Sequence, residues 1–399
     1  MNNQIEDTRL KKILISNILF RSASLISQIF LNIFLFKATN DIQLVALFNI
    51  ILLSTALLSF TFFARIVKFG YRNLTHIISL IWISLAYFSL LLLWENIVNY
   101  NILLAIWIWF FSWIYRIWYN NNEFDLTNTA NRWNYQWLKK SLKTVSAIII
   151  PSLIWTIIGL NYFWYGYELS FGIWVVLFLA SAFTWIIKVE YPNKTKYNMK
   201  NALEKVRTNK DLVKIVSNFT LLWFSLSNPL IETILPLLLF SYWIKEMNLW
   251  FLISFFAILT VIFSYLFWKF VHYKNYRWVY IMSGAFYIIS VFILLFFPTY
   301  WYMILFASIM NLLFSFMDIP QSVFSANIFH EIDWYEEIKS EYMVIREWPL
   351  TIWRLLAFAF IYFIGSFDVL WIKILFWIMA AIILLSIYLF STIKLHRKI

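Results

Sequence analysis

Polar side chains recur along single faces of several otherwise apolar segments, at the three- and four-residue spacing of a helix. The stripes comprise Asn17, Arg21, Ser24, Gln28 and Asn32 in one segment, Asn218, Ser225, Asn228 and Glu232 in another, and Ser308, Asn311, Ser315, Asp318 and Ser322 in a third. A weaker set in a fourth segment comprises Ser112, Arg116 and Asn120. Such groups either bind a polar solute or hydrogen-bond a neighbouring helix. The pattern leaves both roles open for each Ser and Asn.

Ionised side chains inside these apolar segments are the strongest candidates for function. A charge at the centre of a bilayer costs at least about 2.5–3.5 kcal/mol, which indicates that a partner, a solute or a proton accounts for it. Glu232 lies between Pro229 and Pro236, which loosen a helix locally, and it is the best coupling candidate. Our candidate solute-binding or coupling residues are Arg21, Gln28, Asn32, Asn228, Glu232, Asn311, Asp318 and Arg354. A structural ion pair is the alternative role for Arg21 and Glu232.

The segments that contain these residues are long enough to cross the roughly 30 Å apolar core of a bilayer. Hydrophobic residues make up 62% of the 399-residue chain. Because backbone groups in lipid must be satisfied within the segment, the sequence predicts an all-α membrane protein with about 12 transmembrane helices. We place the spans near 12–36, 42–64, 74–94, 98–118, 141–161, 170–188, 213–240, 247–268, 278–298, 299–322, 345–366 and 369–393. The polar stretches between them are too short to form a soluble domain.

The basic residues indicate how the chain crosses the membrane. The formal charge is +12, yet only Lys37, Lys245 and Lys373 lie in or beside the alternate loops that the span map puts outside. By the positive-inside rule both termini are cytoplasmic, in a multi-pass protein of the cytoplasmic membrane. The charge is therefore a signal of topology, and we expect no nucleic-acid partner.

The chain divides into two predicted six-helix halves, residues 1–190 and 213–399, joined by a basic cytoplasmic linker at 191–212. The loop after the second span ends in Tyr71-Arg72, and the loop after the eighth ends in Tyr276-Arg277 at the same register. Two such loops at equivalent places favour parallel repeats related by an axis along the membrane normal.

This arrangement resembles the major facilitator superfamily, whose first, fourth, seventh and tenth helices line the transport cavity. Its signature loop after helix two is G-x-x-x-D-R/K-x-G-R-R/K, and Lys68, Gly70 and Arg72 match three of its positions. Phe63 replaces the first glycine and Val67 the aspartate. In the second copy Trp268 stands at the first glycine, His272 at the aspartate position, and Arg277 matches the final basic residue. The resemblance implies a cytoplasmic gate, with Lys68, Gly70, Arg72, His272, Arg277 and Glu347 as candidates.

Two polar stretches are expected to lie outside the helices. The cluster of Glu331, Asp333, Glu336, Glu337 and Glu341 favours a solvated acidic loop over a carboxylate site. The stretch 120–125, with three asparagines and two acidic residues, predicts a loop that contacts the inner gate.

The resemblance favours a secondary active transporter that moves a small solute by alternating access, with protons as a candidate coupling ion. The alternatives are a lipid-linked oligosaccharide flippase, an integral-membrane transferase and a non-transporting receptor. The transferase would need catalytic groups in sizeable loops, and the predicted outer loops are short. We therefore expect no enzymatic activity, no cofactor and a monomer in the lipid bilayer. The four histidines show no ligand spacing, so a metal site is not expected.

The glycine and tryptophan contents are both abnormal. The chain has 6 Gly and 23 Trp, and their combined number matches an ordinary glycine content of roughly 7%. Trp155 and Trp268 stand where the superfamily patterns have glycine. One hypothesis is that the gene uses UGA for glycine and that these codons were read as tryptophan. The alternative is genuine tryptophan, enriched at the membrane interfaces.

Overall fold

The computed structural model describes residues 8–393 except 94–96, 128–130, 160–165, 185–195, 297–299, 331, 333, 365–368 and most of 227–274. In parts of some helices only the backbone is described. The described residues are helical, with no strand among them. The helices are α1 Thr8–Thr39, α2 Ile42–Lys68, α3 Arg72–Leu92, α4 Ile97–Leu126, α5 Arg132–Gly159, α6 Gly166–Ala182, α7 Met199–Thr208, α8 Lys210–Leu226, α9 Tyr276–Phe296, α10 Tyr300–His330, α11 Tyr335–Ile364 and α12 Val369–Thr392.

Four helical stretches within the described residues are long and apolar enough to cross a membrane by composition alone. They are Ile42–Lys68, Asn99–Leu126, Tyr276–Phe296 and Lys373–Thr392. Large apolar side chains on the surface, such as Leu58 and Phe363, are 71% and 81% exposed. Exposed apolar side chains in this number suit a lipid environment better than water.

The ends of α2 show why the chain turns where it does. Asp41 caps the start of the helix, since its Oδ1 accepts hydrogen bonds from the backbone N–H groups of Gln43 (2.7 Å) and Leu44 (3.2 Å). After the helix ends, Gly70 has φ +98°, a left-handed conformation that side chains other than glycine rarely adopt. This turn sets Arg72 at the start of α3.

Several helices extend beyond the predicted spans. α4 continues to Leu126 and α11 begins at Tyr335, so both predicted loops are helical over most of their length. The prediction of a loop was therefore wrong for residues 335–341; Glu336 and Glu337 are exposed as expected, but Glu341 is buried. Lys339, Ser340 and Glu341 are 7%, 3% and 1% exposed, because this first part of α11 packs against neighbouring helices.

The chain forms two compact units by contact. Unit 1 consists of Met1–Tyr135, Ile150–Leu203 and Trp334–Gly365, and unit 2 of Gln136–Ile149, Glu204–Asp333 and Ser366–Ile399. In unit 1, α2 packs against α4 and α11, α3 against α4 and α6, and α1 against α6. In unit 2, α8 packs against α10 and α12, and α9 packs against the same two helices. Unit 1 thus includes α11, which belongs to the second predicted half, and the division at 191–212 stays a prediction.

Candidate functional site

The candidate gate is the seam between α2 and α11 within unit 1. These helices run antiparallel and are bonded at three levels. Gln43 Nε2 donates to the Tyr362 carbonyl (3.0 Å) near one end, and Trp348 Nε1 donates to Thr61 Oγ1 (2.9 Å) farther along. At the other end Lys68 pairs with Glu341 at 2.6 Å. The charged contacts of the described seam are concentrated at this last level, which we call the Lys68 end.

Glu341 is the centre of that end. Its Oε1 accepts from Lys68 Nζ and also from the backbone N–H of Asn198 (2.9 Å). The Glu341 side chain is only 1% exposed, and that of Lys68 7%. Lys68 also donates to the Glu337 carbonyl (2.6 Å). A buried charge pair of this kind is costly to break from one side, because the remaining charge is left without compensation.

A second carboxylate closes the same end from α4. Asp125 accepts from Arg72 through Oδ2 and from Lys339 through Oδ1. It therefore joins α3, α4 and α11 through one acidic side chain. Beside it, Ser340 Oγ donates to Asn121 Oδ1 at 2.8 Å. We call the set Lys68, Arg72, Asp125, Lys339 and Glu341 the ionic lock.

Burial shifts the pKa of Tyr197 and of Arg132, both near the lock. Burial, with the neighbouring Glu341 carboxylate, raises the pKa of Tyr197 to about 12, so this phenol stays neutral at physiological pH. Burial lowers the pKa of Arg132 to about 10, opposed by the charge of Glu123, and the guanidinium stays protonated. Arg132 Nη2 donates to the Thr127 carbonyl at 2.9 Å and thereby joins the start of α5 to the residue that follows α4.

The repeat-equivalent arginine of unit 2 has a different partner. Arg277 Nη2 donates to the Ile393 carbonyl at 2.5 Å, just beyond the end of α12. Lys214 Nζ donates to the Thr392 carbonyl at 3.0 Å. Two cations at the carbonyl end of a helix satisfy free acceptors and complement the helix dipole. His272, the other gate candidate in this loop, lies outside the described residues.

A buried network of unit 1 is centred on Ser16, the residue before the first polar stripe begins at Asn17. Ser16 Oγ lies 3.3 Å from His76 Nε2, 3.1 Å from the Tyr115 hydroxyl and 2.9 Å from Ser181 Oγ. These four residues join α1, α3, α4 and α6. Three hydroxyls and the Nε2 atom of one imidazole bond one another here, in the buried interior of the unit.

Unit 2 contains a matching network centred on α8. Asn218 Nδ2 donates to Gln321 Oε1 (2.6 Å) and to the Tyr280 hydroxyl (3.2 Å), and Ser386 Oγ donates to Asn218 Oδ1 (2.8 Å). The members come from α8, α9, α10 and α12. Each lies about 204 residues after its counterpart in unit 1, the spacing expected of parallel repeats.

The cavity candidates differ in what surrounds them. Asn32 Oδ1 accepts from Asn49 Nδ2 at 2.9 Å, so it joins α1 to α2. Asp318 pairs with Lys140 at 3.3 Å within unit 2. Arg354 is 4% exposed and Arg21 is half-buried. Asn228 and Glu232, and the side chains of Gln28 and Asn311, lie outside the described residues.

Glu347, the last gate candidate, is 7% exposed and accepts from its neighbour Arg346 at 3.1 Å.

Sequence reasoning missed Asp125 and Glu341 as partners of Arg72 and Lys68, since the pairs are 53 and 273 residues apart. Within the described ranges, no group of three or more His, Cys, Asp or Glu side chains could hold a metal ion.

The fold is similar to that of known transporters. A bacterial homologue of the iron transporter ferroportin, in the outward-facing state, is 15% identical with a TM-score of 0.69, covering 96% of this chain and 99% of that one. The human organic anion transporter MFSD10 is 11% identical with a TM-score of 0.68, covering 97% and 100%. A bacterial metal transporter is 14% identical with a TM-score of 0.59, covering 97% and 99%.

No protein-family model and no curated protein sequence matches the chain. At these identities the structural likeness establishes the fold. The chain therefore has the fold of these transporters.

Proposed function

We propose that this protein is a secondary active transporter that moves a small solute across the cytoplasmic membrane by alternating access. In this proposal twelve spans form two six-helix halves that rock about a site near the midplane, with both termini in the cytoplasm. The protein acts as a monomer, and Glu232 remains the candidate for proton coupling on sequence grounds.

The ionic lock is the observation that supports this mechanism best. α11 comes from the second predicted half, whereas α2, α3 and α4 come from the first, so the lock joins helices that must separate for inward opening. The charges of the lock lie at one end of the α2–α11 seam. At the opposite end, the described polar contact is the hydrogen bond from Gln43 to the Tyr362 carbonyl. A seam held by salt bridges at one end and by few polar contacts at the other can open at either end in turn.

The test uses the absence of cysteine from the chain. A single cysteine at Ser24, half-buried on α1, is labelled in oriented vesicles with a membrane-impermeant maleimide added to one side or the other. A transporter of this kind exposes the position alternately, so both sides should label it, and Lys68→Ala should increase labelling from the cytoplasmic side. The matched control is a cysteine at Phe363, 81% exposed near the opposite end of α11. Labelling of Ser24→Cys from one side only, whatever the state of the lock, would contradict alternating access.

A further inference from the structure

A short part of the predicted cytoplasmic linker lies on the ionic lock. It consists of residues 196–198, which we call the linker segment. The Asn198 N–H donates to Glu341 Oε1 at 2.9 Å. The Lys196 carbonyl accepts from Lys68 Nζ at 3.4 Å. The segment therefore bonds both members of the salt bridge that joins α2 to α11.

Lys68 uses the linker segment as one of three acceptors. An ammonium group has three N–H donors. Two acceptors belong to α11, namely Glu341 Oε1 and the Glu337 carbonyl, both at 2.6 Å, and the third is the Lys196 carbonyl. The Tyr197 ring also lies 5.9 Å from Nζ, within the range of a cation–π contact. Because the Lys68 side chain is only 7% exposed, losing the segment would leave it with a donor that water replaces poorly.

The Glu341 carboxylate depends on the linker segment more strongly. Its side chain is 1% exposed, and its Oε2 has no hydrogen-bond partner among the described residues. The described donors to this carboxylate are Lys68 Nζ and the Asn198 N–H, both at Oε1. Hydrogen bonds to an ionised group are roughly twice as strong as those between neutral groups. The segment thus supplies one of the two described bonds that compensate a buried charge.

Helix α7 fixes the linker segment in this position. Asn198 precedes the helix, and its Oδ1 accepts from the Asn201 N–H at 3.1 Å. The Asn198 carbonyl accepts from the Ala202 N–H at 3.1 Å, and Ala202 is fully buried. The N–H that reaches Glu341 is therefore held by a helix start, so little conformational entropy is lost when it bonds the lock.

We propose that the linker segment is a third element of the cytoplasmic gate, which stabilises the closed α2–α11 seam and leaves the lock when the seam opens. The proposal rests on the proposed transport function and assigns the linker a part in regulating its gate. By linkage, a segment that favours the closed seam binds more weakly by the same factor when the seam is open. The linker then sets how often the Lys68 end opens, in addition to connecting the two predicted halves.

Two substitutions at Asn198 isolate its N–H. Asn198→Pro removes the donor to Glu341, whereas Asn198→Ala keeps the donor and removes the Oδ1 cap of α7. The readout is the maleimide labelling rate of Ser340→Cys, whose parent residue is 3% exposed beside the lock. Asn198→Pro should raise this rate about fivefold, the loss of one charge-assisted bond, and Asn198→Ala less than about twofold.

A double-variant cycle separates this bond from damage to α7. With Glu341→Ala already present, the acceptor is gone, so Asn198→Pro should cause no further rise in the labelling rate. An unchanged rate with Asn198→Pro alone would overturn the proposal. So would an equal rise with Asn198→Ala, or a full rise in the Glu341→Ala background.

Release of the segment on opening is measured in the reverse direction. Tyr197→Cys should label at least about fivefold faster when Asp125→Asn opens the lock, because linkage requires the open seam to bind the segment more weakly. Lys200→Cys, at an exposed position of α7, is the control and should not change. Equal rates for Tyr197→Cys with and without Asp125→Asn would contradict release. Two-sided labelling of Ser24→Cys tests alternating access separately, so failure of the linker proposal leaves that result standing.

Discussion

The two Tyr-Arg loops place equivalent arginines in very different surroundings. Arg72 pairs with Asp125 of α4, which is shared with Lys339 of α11. Arg277 donates to a backbone carbonyl beyond the end of α12, beside the similar bond from Lys214. A salt bridge to a shared carboxylate depends on a helix that can move away, whereas a helix cap holds its own unit together. Under our proposal, the comparison predicts an asymmetric gate, in which the salt bridges of unit 1 break on opening and the helix cap of unit 2 stays intact.

The largest effect is expected from Asp125→Asn, which leaves Arg72 and Lys339 without their shared carboxylate. Removing one partner of a buried pair costs about 3–5 kcal/mol, and opening of the lock relieves part of this cost. The maleimide labelling rate of Ser340→Cys, 3% exposed in the closed lock, should rise at least about tenfold. Glu204→Gln, an exposed acidic position on α7, serves as the control. An unchanged rate would show that Asp125 does not hold the lock closed.

A smaller effect is expected from Glu341→Gln. The amide keeps an acceptor for Lys68 and for the Asn198 N–H but loses the charge that balances Lys68. The labelling rate of Ser340→Cys should rise about fivefold, in keeping with the loss of one charge-assisted bond. The double variant Lys68→Glu and Glu341→Lys exchanges the two charges. Its labelling rate should return toward that of Ser340→Cys with no other change. If the exchange labels faster than either single variant, the pair contributes no charge-specific closure.

The smallest effect is expected from Arg277→Ala, which removes one of two cations at the end of α12. The free energy of unfolding should fall by about 0.3–1 kcal/mol, the usual value of a cation at a helix C-terminus. Lys214→Ala should behave alike, and neither should change the labelling rate of Ser340→Cys. Denaturant unfolding followed by circular dichroism measures the first quantity. A several-fold rise in labelling with Arg277→Ala would remove the asymmetry between the two loops.

Two basic residues of the lock, Lys68 and Arg72, could be predicted from sequence, and their acidic partners could not. Lys68, Gly70 and Arg72 stand at signature positions, and the positive φ of Gly70 explains why that position suits glycine. The acidic partners were assigned to loops, because polar composition beyond an apolar run resembles a solvated connection. The missed signal is the helical spacing of Glu337 and Glu341 around Ile338 and Tyr342, both buried. Pairing across 273 residues follows only from the packing of α2 and α11.

The unusual tryptophan content also has a structural counterpart. The indole N–H groups of Trp107, Trp113 and Trp118 are buried without a hydrogen-bond partner among the described residues. Buried indoles usually find an acceptor, so these three positions are the ones at which to test the hypothesis that UGA encodes glycine. Mass spectrometry of peptides from the native host would show glycine at these positions if the hypothesis holds and tryptophan if it fails.

Distances between spin labels at the two ends of the α2–α11 seam test alternating access most directly. One doubly labelled variant has cysteines at Phe69 and Glu337, at the Lys68 end, and another has them at Leu44 and Phe363, at the Gln43 end. Asp125→Asn should lengthen the distance at the Lys68 end and leave the distance at the Gln43 end short. A rocking transporter opens one end of the seam while the other end stays closed. Lengthening of both distances together, or of neither, would contradict the account.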